Sequence, residues 1–284
     1  MSLLRHIRAC NTYRPERFVP LLMGETRVGL VRRDNAAVLK RFPLAFNVDA
    51  ESVHIVVPGD AAAVSAHLDD VVEELVEEGL VSKWRNEVFT VAPRWGEPPL
   101  FSLDRGAVSF FGVRAYGVHL NGYRDGGDGL QLWIGRRNPV KLVAPGKLDN
   151  LVAGGIGGGL GAAATLKKEA EEEASIPTAL IAKAHAVGAV SYKMEVPQGL
   201  RDDVLFLYDL EVPAAFEPIN TDGEIVEFAR MAAREVLERV RDTDDFKFNV
   251  TLTVIDFALR HGLLTPEDPD YLALVIGLHR GGDY

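Results

Sequence analysis

Hydrophobic and polar positions along residues 1–100 predict a small α+β unit. Short apolar runs at 26–31 and 53–57 are typical of strands. From Asp60 to Gly79 the apolar residues recur at helical spacing, and Asp60 is suited to cap the start of that helix. A proline-rich join at 95–100 follows. We therefore expect a domain boundary at residue 100.

The remaining residues, 101–284, predict a second unit in which a mixed sheet is wrapped by helices. A hairpin turn is expected at 125–129 from its Gly and Asp content. Strands are expected at 113–120, 130–136, 184–194, 204–210 and 225–228, and closing helices at 232–240, 249–261 and 271–279. This order predicts the α/β class, as an α/β/α sandwich.

The composition excludes several classes of protein. A hydrophobic content of 47% and a charged content of 25% are ordinary for a soluble globular chain, and 284 residues leave room for two domains. A net charge of −10 argues against a nucleic-acid partner, which would require a basic surface. An acidic protein that acts on phosphates must therefore concentrate positive charge, or a metal ion, locally.

Cysteine use and hydropathy bear on the compartment. The single cysteine, Cys10, excludes an internal disulfide framework and suits a reducing environment. The sequence contains no apolar run of roughly 18 residues and no signal-peptide core at its start. These features predict a cytoplasmic protein with no membrane partner.

The most informative stretch is 153–176, where a glycine-rich loop runs into an acidic helix. Glu169, Glu172 and Glu173 are spaced so that they share one helix face. Three carboxylates on one face provide the oxygen ligands that Mg²⁺ prefers, with Mn²⁺ as an alternative. A solvated acidic surface helix would explain the glutamates but not the glycines before them. We interpret the stretch as a metal site.

This stretch resembles the Nudix box, in which a glycine precedes a helix containing Arg-Glu and then Glu-Glu. Gly154 matches the first glycine, and Glu169, Glu172 and Glu173 match the metal-binding glutamates. Three positions depart from the pattern: Leu160 replaces the first Glu, Lys168 replaces Arg, and Ser175 replaces the closing Gly. Lysine keeps the charge of arginine but loses its bidentate fork.

Further segments narrow the resemblance. Those at 9–22, 27–33, 147–155, 222–228 and 248–262 are similar to Nudix hydrolases related to thiamine pyrophosphokinase, whose N-terminal domain has no assigned role. The resemblance implies Mg²⁺-dependent hydrolysis of a small-molecule diphosphate, namely thiamine diphosphate or its oxo and oxy damaged forms. It also implies that a homodimer can form.

The resemblance assigns roles to residues outside the acidic helix. Glu224 resembles a later-loop glutamate that serves as base or further ligand, and the catalytic set is Glu169, Glu172, Glu173 and Glu224. The substrate-binding candidates are Arg136, Arg137, Lys147, Asn150, Gly154 and Gly155. Candidate aromatic walls for a ring are Tyr192, Phe110 and Trp133.

Two other functions remain open. The same chemistry could act on a nucleoside diphosphate derivative. Because Leu160 replaces a glutamate of the box, the domain could also bind a ligand without turnover.

Overall fold

The computed structural model describes residues 1–127 and 129–281, so Asp128 of the expected turn at 125–129 lies outside the described residues. The helices are α1 Leu4–Cys10, α2 Arg33–Leu39, α3 Ala61–Glu77, α4 Val108–Phe111, α5 Ala162–Ala174, α6 Thr178–Ile181, α7 Ala233–Asp242, α8 Val250–Arg260 and α9 Tyr271–Gly277. The strands are β1 Phe18–Met23, β2 Thr26–Arg32, β3 Phe46–Val48, β4 Val53–Ile55, β5 Val88–Val91, β6 Phe101–Asp104, β7 Arg114–Asp125, β8 Leu130–Arg137, β9 Leu148–Asp149, β10 Val152–Gly155, β11 His185–Val196, β12 Gly199–Glu211 and β13 Ile225–Ala232.

The second unit is built on a mixed sheet of order β11-β12-β7-β8-β13, in which β10 pairs with β7 and β9 with β8. Strand β12 runs parallel to β7, and the other pairs are antiparallel. Alternate side chains point to opposite faces. Val118 therefore packs against Leu166 of α5, whereas Leu207 packs with Val236 of α7 on the other side. This arrangement confirms the predicted α/β/α sandwich.

The first unit has its own sheet, of order β2-β1-β4-β3, and a β5-β6 hairpin. Helix α3 begins as expected, because the Asp60 carboxylate accepts a hydrogen bond from the Ala63 N–H at 2.9 Å. The proline-rich join at 95–100 lies in the loop between β5 and β6, inside this hairpin. The apolar cluster of the first unit continues beyond it to Val113. We therefore propose that the boundary between the units follows Val113.

Helix α1 packs in the second unit although it begins the chain. Ile7 and Cys10 are buried in the apolar cluster formed with α7, α8 and α9. The ring Nε2 of His6 is hydrogen-bonded to the Val240 carbonyl at 2.7 Å. Burial raises the pKa of the Cys10 thiol to about 12, so this cysteine is a packing residue. The start of the chain therefore helps to close one face of the sandwich.

Helix α5 ends at a residue in the left-handed region. Ser175 has φ of 51°, where the resembled pattern has glycine, and its hydroxyl donates to the Ile219 carbonyl at 3.0 Å. This bond ties the end of α5 to the segment that leads into residues 221–224. Among the described residues, we find no helix with the length and apolar content needed to cross a bilayer.

Candidate active site

Glu173 is the most buried of the predicted ligands, with 4% of its surface exposed. Its carboxylate accepts a hydrogen bond from the backbone N–H of Ala153 at 2.8 Å. Burial raises the pKa of Glu173 well above its ordinary value, the Ala153 N–H opposes that rise, and repulsion from Asp149, Glu169 and Glu224 adds to it. A buried carboxylate of this kind is stabilised by a nearby positive charge.

A cluster of three carboxylates forms around Glu173. One oxygen atom from each of Glu173, Asp222 and Glu224 lies within 4.8 Å of the others. Asp222 also accepts from the Glu224 N–H at 2.7 Å, which fixes the turn, and Lys141 forms an ion pair with Glu224. The cluster of oxygen donors fits a hard divalent cation. We name Glu173, Asp222 and Glu224 the acidic cluster.

Asp222 was not among the residues selected from the sequence. It directly precedes Gly223 and Glu224, and an Asp-Gly-Glu turn is the sequence signal that points to it. Asp222 lies 49 positions after Glu173 in the sequence (222 − 173). Spacing along the chain cannot show that two such distant carboxylates converge.

The other two predicted ligands take different positions. Glu169 lies over Gly154, so that a β-carbon on this glycine would be 2.5 Å from Cδ of Glu169. Lys168 donates to Glu169 at 3.1 Å and to exposed Glu172 at 2.7 Å. Burial raises the pKa of Glu169, and Lys168 opposes the rise. Metal binding by Glu169 and Glu172 remains a prediction.

Arg137 lies inside the protein rather than at a substrate surface. Its Nη1 donates to the buried Asp149 carboxylate at 2.7 Å, and Nε and Nη2 donate to the Val143 carbonyl. Lys247 reaches the same carboxylate at 3.3 Å. Burial opposes ionisation of Asp149, but Lys247, His119 and Arg137 outweigh it and lower its pKa. The structure corrects the assignment of Arg137 and makes it a buried support residue.

Asn150 is 3% exposed and lies in a buried polar network. Its amide donates to Asn121 at 2.8 Å, while its oxygen accepts from Thr253 at 2.8 Å and is 2.7 Å from the His119 ring Nδ1. Burial lowers the pKa of His119 to about 4, so the ring is neutral near pH 7. Asn150 joins β7 to α8, which corrects its assignment to substrate.

Arg136 and Lys147 lie at the ends of the loop between β8 and β9. Arg136 contacts Glu227 at 3.4 Å and donates to the Gly146 carbonyl at 3.2 Å. Lys147 donates to the Asp244 carbonyl at 2.6 Å. All three contacts are exposed, and a phosphate role for either residue remains a prediction.

An open cleft of about 350 Å³ lies on the surface near β8 and β13. Apart from Trp133 of β8, its walls come from the segments immediately before and after residues 221–225. They are formed by Trp133, Glu217, Pro218, Ile219, Asn220, Val226, Glu227 and Phe228. Of the predicted ring contacts, Trp133 lines this cleft, whereas Tyr192 and Phe110 are fully buried core residues.

Comparisons with known proteins identify relatives of both units. Residues 2–115 match a family described as a domain of unknown function, DUF4743. Nudix hydrolase 24, chloroplastic, of Arabidopsis thaliana is 38% identical over 270 residues, covering 93% of this chain and 73% of the relative. Nudix hydrolase 20, chloroplastic, of the same plant is 38% identical over 271 residues, covering 90% and 71%. Among solved structures, DR0079 from Deinococcus radiodurans is similar with a TM-score of 0.45 and 21% identity, over 59% of this chain and 97% of that chain.

The fold is an α/β/α sandwich in which an acidic helix follows a glycine loop. The chain belongs to the Nudix hydrolase family, and its activity is hydrolysis of diphosphate-containing compounds. Members of this family typically use a divalent metal ion. Both Arabidopsis relatives are named chloroplastic, which contradicts the cytoplasmic location expected from the sequence.

Proposed function

We propose that the protein hydrolyses the diphosphate of thiamine diphosphate, or of its oxo and oxy damaged forms, to the monophosphate, and that it uses Mg²⁺. The observation that carries this proposal is the convergence of Glu173 with Asp222 and Glu224, which lie on a turn whose flanking segments contribute walls to a cleft with Trp133 and Phe228. A diphosphate bound at the cluster would leave its organic group at the cleft.

Glu173, Asp222 and Glu224 would hold the metal ion. When bound, Mg²⁺ supplies positive charge to the diphosphate oxygens and lowers the pKa of water. The ion pair between Lys141 and Glu224 provides positive charge at the same carboxylate before the metal arrives. Glu172 would add negative charge at the outer side of α5, next to Lys168.

Glu169 is the residue we propose as general base. It would take a proton from the attacking water as the new P–O bond forms and the bridging P–O bond breaks. Burial raises the pKa of Glu169, which makes its carboxylate a stronger base than an exposed one. Arg136 and Lys147, at the ends of the β8–β9 loop, would stabilise the leaving phosphate.

The cleft suits a flat ring that carries positive charge. Two carboxylates, Glu217 and Glu227, and the rings of Trp133 and Phe228 form its walls. A thiazolium cation can interact with both carboxylates and aromatic faces. The guanidinium of Arg230 already lies 5.8 Å from the Trp133 ring centre, so this ring accepts a cation in the structure.

Turnover of a substrate panel tests the proposal. Thiamine diphosphate, its oxo analogue, ADP-ribose and nucleoside triphosphates are incubated with the protein, with and without Mg²⁺, and monophosphate and phosphate are measured. Mg²⁺-dependent conversion of a thiamine compound to its monophosphate is the expected result. Cleavage of the nucleotides alone would replace the thiamine proposal with a nucleotide substrate. A folded protein that cleaves none of them would favour ligand binding without turnover.

A homodimer remains a prediction.

A further inference from the structure

The first unit contacts the glycine loop directly. The N–H of Gly158 donates to the Val88 carbonyl of β5 at 2.6 Å. A β-carbon on Gly155 would lie 2.8 Å from the ring Cζ of Phe89, so only glycine allows β5 this close. The loop beside the acidic helix is therefore shaped by residues of the matched domain of unknown function.

Strand β10 turns alternate backbone groups towards the edge opposite its partner strand β7. The N–H of Ile156 donates to Tyr116 of the neighbouring strand at 2.8 Å, whereas the N–H of Ala153 points away from that strand and donates to Glu173. Hydrogen-bonding direction alternates along an antiparallel strand. Gly155 lies two residues after Ala153. Its N–H therefore points to the same edge as the Ala153 N–H and the Glu173 carboxylate.

Arg105 of the first unit lies against the face of β10 at Gly155. Its guanidinium carbon is 3.7 Å from the position of a β-carbon on Gly155. The side chain is 52% exposed, pairs with Glu87 at 2.7 Å and lies over the Phe89 ring at 5.7 Å. Glu87 and Phe89 thus fix the guanidinium while half of the side chain stays open to solvent.

We propose that Arg105 binds a phosphate of the substrate, together with the N–H of Gly155, so that the first unit completes the substrate site of the second. This inference rests on the proposed diphosphate hydrolysis. An arginine can hold one carboxylate and still donate to a phosphate, because its guanidinium has five N–H donors in a planar fork.

Charge around the site supports this assignment. The chain has a net charge of −10, and a diphosphate approaching the acidic cluster needs nearby cations. Arg137 and Lys247 are turned inward to Asp149, Lys168 bridges Glu169 and Glu172, and Lys141 is paired with Glu224 of the acidic cluster. Arg105 contributes a cation from the other side of the glycine loop, and its carboxylate partner, Glu87, is not part of the acidic cluster.

The test compares Arg105→Gln with wild type in two assays. Binding of inorganic pyrophosphate in the presence of Mg²⁺ is measured by calorimetry, and kcat and KM are measured on whichever panel compound the wild type cleaves. Loss of a charged hydrogen-bond donor should weaken pyrophosphate binding about tenfold or more and raise KM similarly, with kcat changed less than about threefold. Arg105→Lys should restore part of the affinity.

Arg41→Gln is the matched control. Arg41 is also in the first unit, has a side chain that is 45% exposed, pairs with Glu74 of α3 and with Glu78 just after it, and lies over the Phe42 ring at 5.4 Å. The Arg41→Gln substitution should leave pyrophosphate binding and KM unchanged. If Arg105→Gln behaves like Arg41→Gln while the wild type binds pyrophosphate and cleaves a panel compound, the proposed role of Arg105 is wrong and the proposed hydrolysis stands. A wild type that neither binds pyrophosphate nor cleaves any compound overturns both.

Discussion

Glu169 lies so close over Gly154 that the glycine has no room for a side chain: an added β-carbon would be 2.8 Å from the Oε2 atom of the glutamate. We expect Gly154→Ala to displace the Glu169 carboxylate and lower kcat by about tenfold or more, the scale of a misplaced general base. The melting temperature should change little, because a flexible side chain can move aside. Gly157→Ala is the control, since its β-carbon would meet only the Val88 carbonyl at 3.7 Å. Equal kcat values for the two variants would contradict the proposed role of Glu169.

Glu173→Gln should abolish the stabilisation of the protein by Mg²⁺ without unfolding it. Burial raises the pKa of Glu173, so the metal-free fold favours the neutral form and accepts the neutral amide. Melting curves with and without Mg²⁺ check this, because a ligand that binds the folded state raises the melting temperature. Glu171→Gln, at an exposed position of α5, should keep the shift. A full Mg²⁺ shift in Glu173→Gln would exclude the acidic cluster as the metal site.

Asp222→Asn and Glu172→Gln distinguish the cluster seen in the structure from the ligand set predicted by the sequence. Both carboxylates are exposed, but only Asp222 lies within 4.8 Å of Glu173 and Glu224. We expect Asp222→Asn to weaken Mg²⁺ binding by about tenfold, because one of three ligand charges is lost. Calorimetric titration with Mg²⁺ measures this.

The sequence-based prediction is that Glu172→Gln sharply reduces turnover. Weak binding in Glu172→Gln with normal binding in Asp222→Asn would favour the sequence set.

Asp149→Asn should destabilise the fold by about 3–5 kcal/mol at pH 7, because it leaves Arg137 and Lys247 buried without their shared carboxylate. Chemical denaturation gives the free energy of unfolding. The pKa of Asp149 is lowered in the folded state, so its contribution is present above the unfolded pKa of about 4 and is lost as the pH falls below it. The difference in unfolding free energy between variant and wild type should therefore shrink in acid.

Asp244→Asn is the control, because Asp244 forms an exposed ion pair with Arg5, and it should have little effect at either pH. A pH-independent difference would contradict the ion-pair origin of the stability.

Much of the fold could be predicted from the sequence because its signals are local. The capping Asp60, the helical spacing after it and the strand alternation before the glycine loop each act over a few residues. The structure confirms helix α3, helix α5 and the closing helices near the expected bounds. Helix α1 packs its apolar face with α7, α8 and α9, which lie more than two hundred residues away along the chain, so no local signal could place it.

The sequence by itself determined the class of the protein and the acidic helix, because a glycine loop followed by Glu169, Glu172 and Glu173 is continuous in the chain. Only the tertiary structure decided which carboxylates meet. The pairing of β8 with β13 brings the turn after Asp222 to α5, while the ion pair with Asp149 turns Arg137 inward. Long-range strand register and burial set these positions, since side chains converge only when distant segments pack against one another.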